Sequence, residues 1–188
     1  MNKLLTFTFL TLGLVSVSVK AQTLHYGIKA GYNAAKFGGD VKNVKTLNAF
    51  HVGLLAEIEL TDKFSIQPEV LYSAQGTKYK SSRKSQIDYV NVPILAKYYL
   101  IDGLSIEAGP QIGFLTKSED KLEGITVDYK EVTKDIDFSI PVGLAYRCSI
   151  NIFASVRYNF GISDFNDDNT SNYKMNHQVF QASLGYRF

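Results

Sequence analysis

The last twelve residues, His177 to Phe188, constrain this chain more than any other stretch. Phe180, Ala182, Leu184, Tyr186 and Phe188 are apolar at every second position, while Gln181, Ser183, Gly185 and Arg187 fill the gaps with polar or tiny groups. A strand projects alternate side chains to opposite faces, so this segment has one apolar and one polar face. An apolar edge left open in a soluble sheet invites aggregation. A closed barrel in lipid calls for this arrangement, with apolar groups outside, polar groups inside and aromatics near the interface. The competing reading is the last strand of a soluble sandwich.

The amino-terminal end agrees with the barrel. Met1-Asn2-Lys3 is a short basic start, and Leu4 to Val19 carries no charge. Val19-Lys20-Ala21 puts small or β-branched residues at the two positions a signal peptidase reads. The pattern predicts a signal peptide over 1–21 and a mature domain over 22–188. The uncharged run is 16 residues, short of the roughly 20 that a spanning helix needs. Removing Lys3 and Lys20 leaves 20 − 2 = 18 basic residues against 18 acidic ones. A balanced chain offers no electrostatic argument for nucleic acid.

No other stretch is long and apolar enough for a transmembrane helix, so a membrane location requires a barrel, because only helices and closed barrels satisfy their backbone in lipid. The length fits one domain. The single Cys148 excludes an internal disulfide framework and a Cys-based zinc site.

The alternation recurs along the chain. Predicted outward sets are Tyr26 to Tyr32, Phe50 to Leu60, Phe64 to Ala74, Val90 to Leu100, Leu104 to Phe114, Ile136 to Tyr146, Ile152 to Ile162 and the terminal strand, each taken at every second residue. The fold class is all-β, an eight-stranded antiparallel up-and-down transmembrane barrel. Connections alternate between long polar stretches (34–48, 76–85, 116–134 and 163–176) and short turns such as Thr61-Asp62-Lys63 and Ile101-Asp102-Gly103. Outer-membrane barrels show long loops on one rim and short turns on the other. Pro68, Pro93, Pro110 and Pro141 fall inside strand patterns, where a residue without an N–H is awkward. They are expected to mark bulges or rims.

The inward face holds Lys29, Glu57, Glu59, Glu69, Lys97, Glu107, Asp137, Arg147, Arg157 and Arg187, with His25, His51 and His177. An eight-stranded interior is only wide enough for side chains to fill. These charges therefore predict a packed network centred on Lys29, Glu69, Lys97, Glu107, Arg157 and Arg187 rather than a pore lining, since unpaired charges at that depth are very costly.

No G-x-S-x-G elbow, H-E-x-x-H or P-loop pattern occurs. A rim enzyme would have to use His177 with Ser171 or Asp168. Asp164, Asp167 and Asp168 do not have the spacing of a Ca²⁺ loop. No cofactor, metal or catalytic residue is assigned. The basic cluster Lys78, Lys80, Arg83 and Lys84 is a candidate contact for lipopolysaccharide phosphates.

Several segments carry a family resemblance: Lys20-Ala21-Gln22, Tyr26-Gly27-Ile28-Lys29-Ala30-Gly31-Tyr32-Asn33, Pro68-Glu69-Val70-Leu71-Tyr72-Ser73, Tyr89-Val90-Asn91-Val92-Pro93 and Leu184-Gly185-Tyr186-Arg187-Phe188. Together they resemble the PorT-type outer membrane β-barrel proteins of Bacteroidetes, over essentially all of the mature chain. The resemblance implies an eight-stranded barrel similar to OmpA and OmpX. The founding member of that family is linked to a type IX secretion and gliding apparatus, a role that does not follow from the shared segments. No catalytic residues come with the resemblance.

The resulting expectation is a non-enzymatic outer-membrane barrel with a structural, surface-interaction or assembly role. Its partners would be outer-membrane lipids, lipopolysaccharide, the outer-membrane assembly machinery through the C-terminal strand, and envelope proteins, but not nucleic acid. A soluble lipocalin-like carrier would require the opposite phase, with an apolar interior. A lipid-modifying enzyme would need its chemistry at the rim, and a narrow channel would need an open interior.

Overall fold

The computed structural model describes residues 23–39, 44–79, 84–122, 125–130, 133–163 and 175–188. The signal peptide expected over 1–21 lies outside them. Ten strand segments follow one another: β1 (Thr23–Gly39), β2 (Val44–Thr61), β3 (Phe64–Tyr79), β4 (Lys84–Ile101), β5 (Leu104–Ala108), β6 (Gln111–Leu122), β7 (Ile125–Asp128), β8 (Ile136–Arg147), β9 (Ile152–Gly161) and β10 (Met175–Arg187). All neighbouring pairs are antiparallel, and β1 pairs with β10 from Gly27↔Arg187 to Gly39↔Met175, which closes the wall.

Ten segments make eight staves. Strands β5 and β6 both lie between β4 and β8, so they are the lower and upper halves of one stave. The expected single strand over 104–114 is thus interrupted at Gly109 and Pro110, which has no N–H to give. The wall remains bonded there: Ile94 N–H donates to the Pro110 carbonyl at 2.9 Å, and Gly109 N–H to the Pro141 carbonyl at 3.3 Å. The other three prolines do not break their strands. Pro68 is paired with Ile94, Pro93 with Gln111 and Pro141 with Asn159. The four prolines therefore sit on four consecutive staves. Strand β7 pairs only with β6, beyond the barrel wall.

The predicted faces are those observed. Ile28, Leu54, Val70, Ile94, Ile106, Leu144, Val156 and Leu184 are exposed to the outside, while Lys29, Glu69, Lys97, Glu107, Arg157 and Arg187 are buried inside. This phase is the reverse of what a lipocalin-like carrier needs, and it sets that reading aside. The staves run further than the alternation suggested. Strands β1 and β2 extend into 34–48, β3 and β4 into 76–85, and β6 and β7 into 116–134. Above the lipid a ladder needs no apolar face, so pairing continues where the sequence pattern stops.

Outward tyrosines fix the upper edge of the apolar band. Tyr32 is paired with Phe50, Tyr72 with Val90 and Tyr158 with Phe180. Each tyrosine reaches diagonally to the polar side chain two residues further on: Tyr32 Oη donates to Asn48 Oδ1 at 2.7 Å, Tyr72 Oη to Asp88 Oδ2 at 2.7 Å, and Tyr158 Oη to Gln178 Oε1 at 3.1 Å. A ring in the apolar layer with its hydroxyl on a polar partner suits the membrane–water boundary. Tyr26, Tyr98, Tyr146, Tyr186 and Phe188 are exposed near the short-turn rim.

Candidate functional site

The interior is stacked in layers. Next to the short-turn rim, Glu57 gathers Lys97 at 3.4 Å, Arg187 at 3.3 Å, Ser65 at 2.8 Å and the hydroxyl of Tyr99. Arg187 also holds Glu59 at 2.8 Å, and Glu59 lies 3.4 Å from His25. In the middle layer the Arg157 guanidinium grips Glu69 through Nη1 at 2.8 Å and Nη2 at 2.7 Å, and its Nε donates to Glu107. Lys29 Nζ adds a second cation at 3.3 Å from Glu69. Gln67 links the two layers: its amide nitrogen donates to Glu69 and its oxygen accepts from Lys97 at 2.9 Å.

Of the six residues predicted to form one network, Lys29, Glu69, Glu107 and Arg157 meet directly. Lys97 and Arg187 belong to the Glu57 layer, and Lys97 is linked to Glu69 through Gln67. Sequence reading did not single out Gln67 or Tyr99, because neither carries charge and only cross-barrel register shows what they join.

Above the ion pairs lies a neutral layer. His51 Nδ1 is 2.7 Å from Asn33 Oδ1 and its Nε2 is 2.8 Å from Ser183 Oγ. The next layer is apolar and aromatic: Phe37, Ile87, Tyr89 and Leu115 form a buried cluster. His177 packs edge-on against Phe37 and Tyr89, with ring centres 5.4 and 5.3 Å away. A cavity of about 10 Å³ between Leu55, Glu57, Gln67, Lys97 and Arg187 has room for about one water molecule. Among the described residues, these layers place side chains across the inside of the barrel.

His177 thus stands inside an aromatic cluster, where its ring packs rather than facing a substrate. Ser171, Asp168, Asp164 and Asp167 lie outside the described residues, as do Lys80 and Arg83. Among the described residues no group of His, Cys, Asp or Glu is arranged to hold a metal ion, and no helix is long and apolar enough to cross a membrane. Lys78 and Lys84 are directly paired at the loop-side ends of β3 and β4, with Lys78 exposed and Lys84 half-buried.

An apolar belt outside, ion pairs inside and a closed antiparallel wall define a transmembrane β-barrel. A family model described as "outer membrane protein beta-barrel domain" matches residues 20–167. The chain belongs to that outer-membrane family. Among solved structures it is similar to neisserial surface protein A (NspA), with 11% identity over 90% of this chain and 100% of that one, at a TM-score of 0.57. It is also similar to the attachment invasion locus protein Ail of Yersinia pestis, solved with the heparin analogue sucrose octasulfate. That match has 14% identity over 88% of this chain and 99% of that one, at a TM-score of 0.53. Identities this low speak for the fold alone. No curated protein matches the chain.

Proposed function

We propose that this protein is a non-enzymatic outer-membrane scaffold whose interactions take place at its loop-side rim. The filled interior carries the proposal. Arg157, Glu69, Glu107 and Lys29 occupy the middle of the barrel, and Phe37, Ile87, Tyr89 and Leu115 close it above. Among the described residues, that leaves neither a solute path nor a calyx for a ligand. Binding is then a matter for the loops and the outward face, with lipopolysaccharide phosphates near Lys78, Lys80, Arg83 and Lys84 and with other envelope proteins.

The same proposal includes export by a signal peptide cleaved after Ala21 and delivery to the assembly machinery through the C-terminal strand. Membership of the PorT-type branch in Bacteroidetes is supported by the segments that resemble it, from Tyr26–Asn33 to Leu184–Phe188. Two measurements test the scaffold reading. The native protein should migrate differently in gels before and after boiling, and it should give no stepwise conductance in a planar bilayer. Solute-sized conductance would overturn the filled interior.

A further inference from the structure

Four adjacent staves carry a lysine at matching positions. Lys45 on β2 is directly opposite Lys78 on β3, Lys78 opposite Lys84 on β4, and Lys84 opposite Lys121 on β6. Directly opposite residues in an antiparallel ladder share a face, with Cβ atoms about 4.5–5.5 Å apart, and like charges so placed are destabilising. Lys45, Lys78 and Lys121 are exposed and Lys84 is half-buried.

Two register slips build this row. One falls between Thr46 and His51 on β2, the other at Asp88/Tyr89 where β4 meets β6. Leu47 and Leu115 are buried inside, and unbroken alternation would turn Lys45 and Lys121 inward with them. Each slip instead brings its lysine out beside Lys78 and Lys84. The face is the lipid-facing one, since Ile87 and Tyr89 on β4 point into the barrel and Lys84 has the opposite phase. Lys84 is four residues above Asp88 of the tyrosine belt, about 10 Å along the barrel axis for a tilted strand.

Carboxylates nearby pair with only one member of the row, Lys121 at its end. Glu119 is 3.1 Å from Lys117 and 3.6 Å from Lys121. Asp88 accepts from Tyr72 at 2.7 Å and from Gln86 at 3.1 Å, and stands opposite Lys117. Among the described residues, Lys45, Lys78 and Lys84 have no acidic partner.

Resting on the outer-membrane reading above, we propose that the row Lys45–Lys78–Lys84–Lys121 grips the phosphates of an outer-leaflet glycolipid from the side. The sideways aim and the height just above the tyrosine belt favour phosphate fixed on a membrane lipid over a soluble anion.

The test uses the full mature chain refolded in neutral phosphatidylcholine vesicles, with diphosphoryl lipid A, dephosphorylated lipid A, inorganic phosphate and sucrose octasulfate as probes. Diphosphoryl lipid A should bind, and binding should weaken about fivefold for each lysine changed to glutamine. Removing the lipid phosphates should have the same effect as removing all four lysines. Lys63→Gln, at a short turn, should change nothing. If the quadruple variant loses its heat-dependent gel shift, Lys78→Gln/Lys84→Gln serves in its place. Equal affinity for phosphorylated and dephosphorylated lipid, or no effect of the substitutions, would overturn the proposal. So would tighter binding of a soluble anion than of the lipid. A normal gel shift alongside such a result would leave the scaffold reading standing while the lysine row fell.

Discussion

Arg157 and Glu69, 88 positions apart in the chain, meet in the middle of the barrel through two parallel hydrogen bonds of 2.8 and 2.7 Å. Both side chains are almost wholly shielded. A paired fork of this kind is the strong form of a charge-assisted bond. Breaking a buried pair from one side leaves the other charge uncompensated, at a cost of about 3–5 kcal/mol. Arg157→Met, which takes the guanidinium from Glu107 and leaves Glu69 with Lys29 and Gln67, should lower stability by about that much in urea titrations of the detergent-folded protein. Arg157→Met/Glu69→Gln should be milder than the sum of its single changes. A loss below about 1 kcal/mol for Arg157→Met would show the network to be dispensable.

The tyrosine belt makes a smaller prediction. Tyr72→Phe removes one hydroxyl bond to Asp88 and should cost about 1 kcal/mol. Asp88→Ala also loses the bond from Gln86, but it should cost less in the Tyr72→Phe background than in the native chain. Additive losses in this double-mutant cycle would mean that the bond contributes nothing.

Gly31 is an inward position beside the closing strand. An added Cβ there would meet the Ala182 carbonyl oxygen, the His51 ring at 2.6 Å and Ser183 Cα at 2.8 Å. The Ala182 carbonyl and Ser183 Cα cannot move away without disturbing the β1–β10 ladder, and the His51 ring is held by Asn33 and Ser183. Gly31→Val should destabilise by about 3 kcal/mol or more and deplete the compact, unboiled gel band. A full-strength band would argue that the wall is more pliable than its register implies.

Cys148 reports orientation. It begins the short turn between β8 and β9, where its N–H donates to the Ile152 carbonyl at 2.9 Å. That turn lies on the rim opposite the long loops. A membrane-impermeant maleimide added to intact cells should leave Cys148 unlabelled, and permeabilising the outer membrane should expose it. Labelling in intact cells would invert the assigned orientation.

The faces of the staves were legible because alternation is local: a residue and its neighbour two positions on share a side whatever the rest of the chain does. Leu54, Val70 and Leu184 outside, with Glu69 and Arg157 inside, follow from that alone. The contacts were not legible. Lys29 meets Glu69 across 40 positions, and that meeting depends on hairpin lengths and on slips such as the one between Thr46 and His51. The length of the staves was also hidden, because Lys78 and Lys84 sit in a ladder whose side chains are polar on the outside as well. The division of one stave at Gly109–Pro110 could have been suspected from Pro110 but not distinguished from the unbroken strands at Pro68, Pro93 and Pro141.

A hoop is ordinarily weakest where its two ends are joined. In this one the joint runs without a slip from Gly27↔Arg187 to Gly39↔Met175. The residues unable to donate a backbone bond, Pro68, Pro93, Pro110 and Pro141, fall on the staves across from that joint. Under lateral strain the hoop would yield on its far side. Amide hydrogens flanking the four prolines should exchange with deuterium well before those of the terminal strands, so the chain's two ends would be the last part of the wall to loosen.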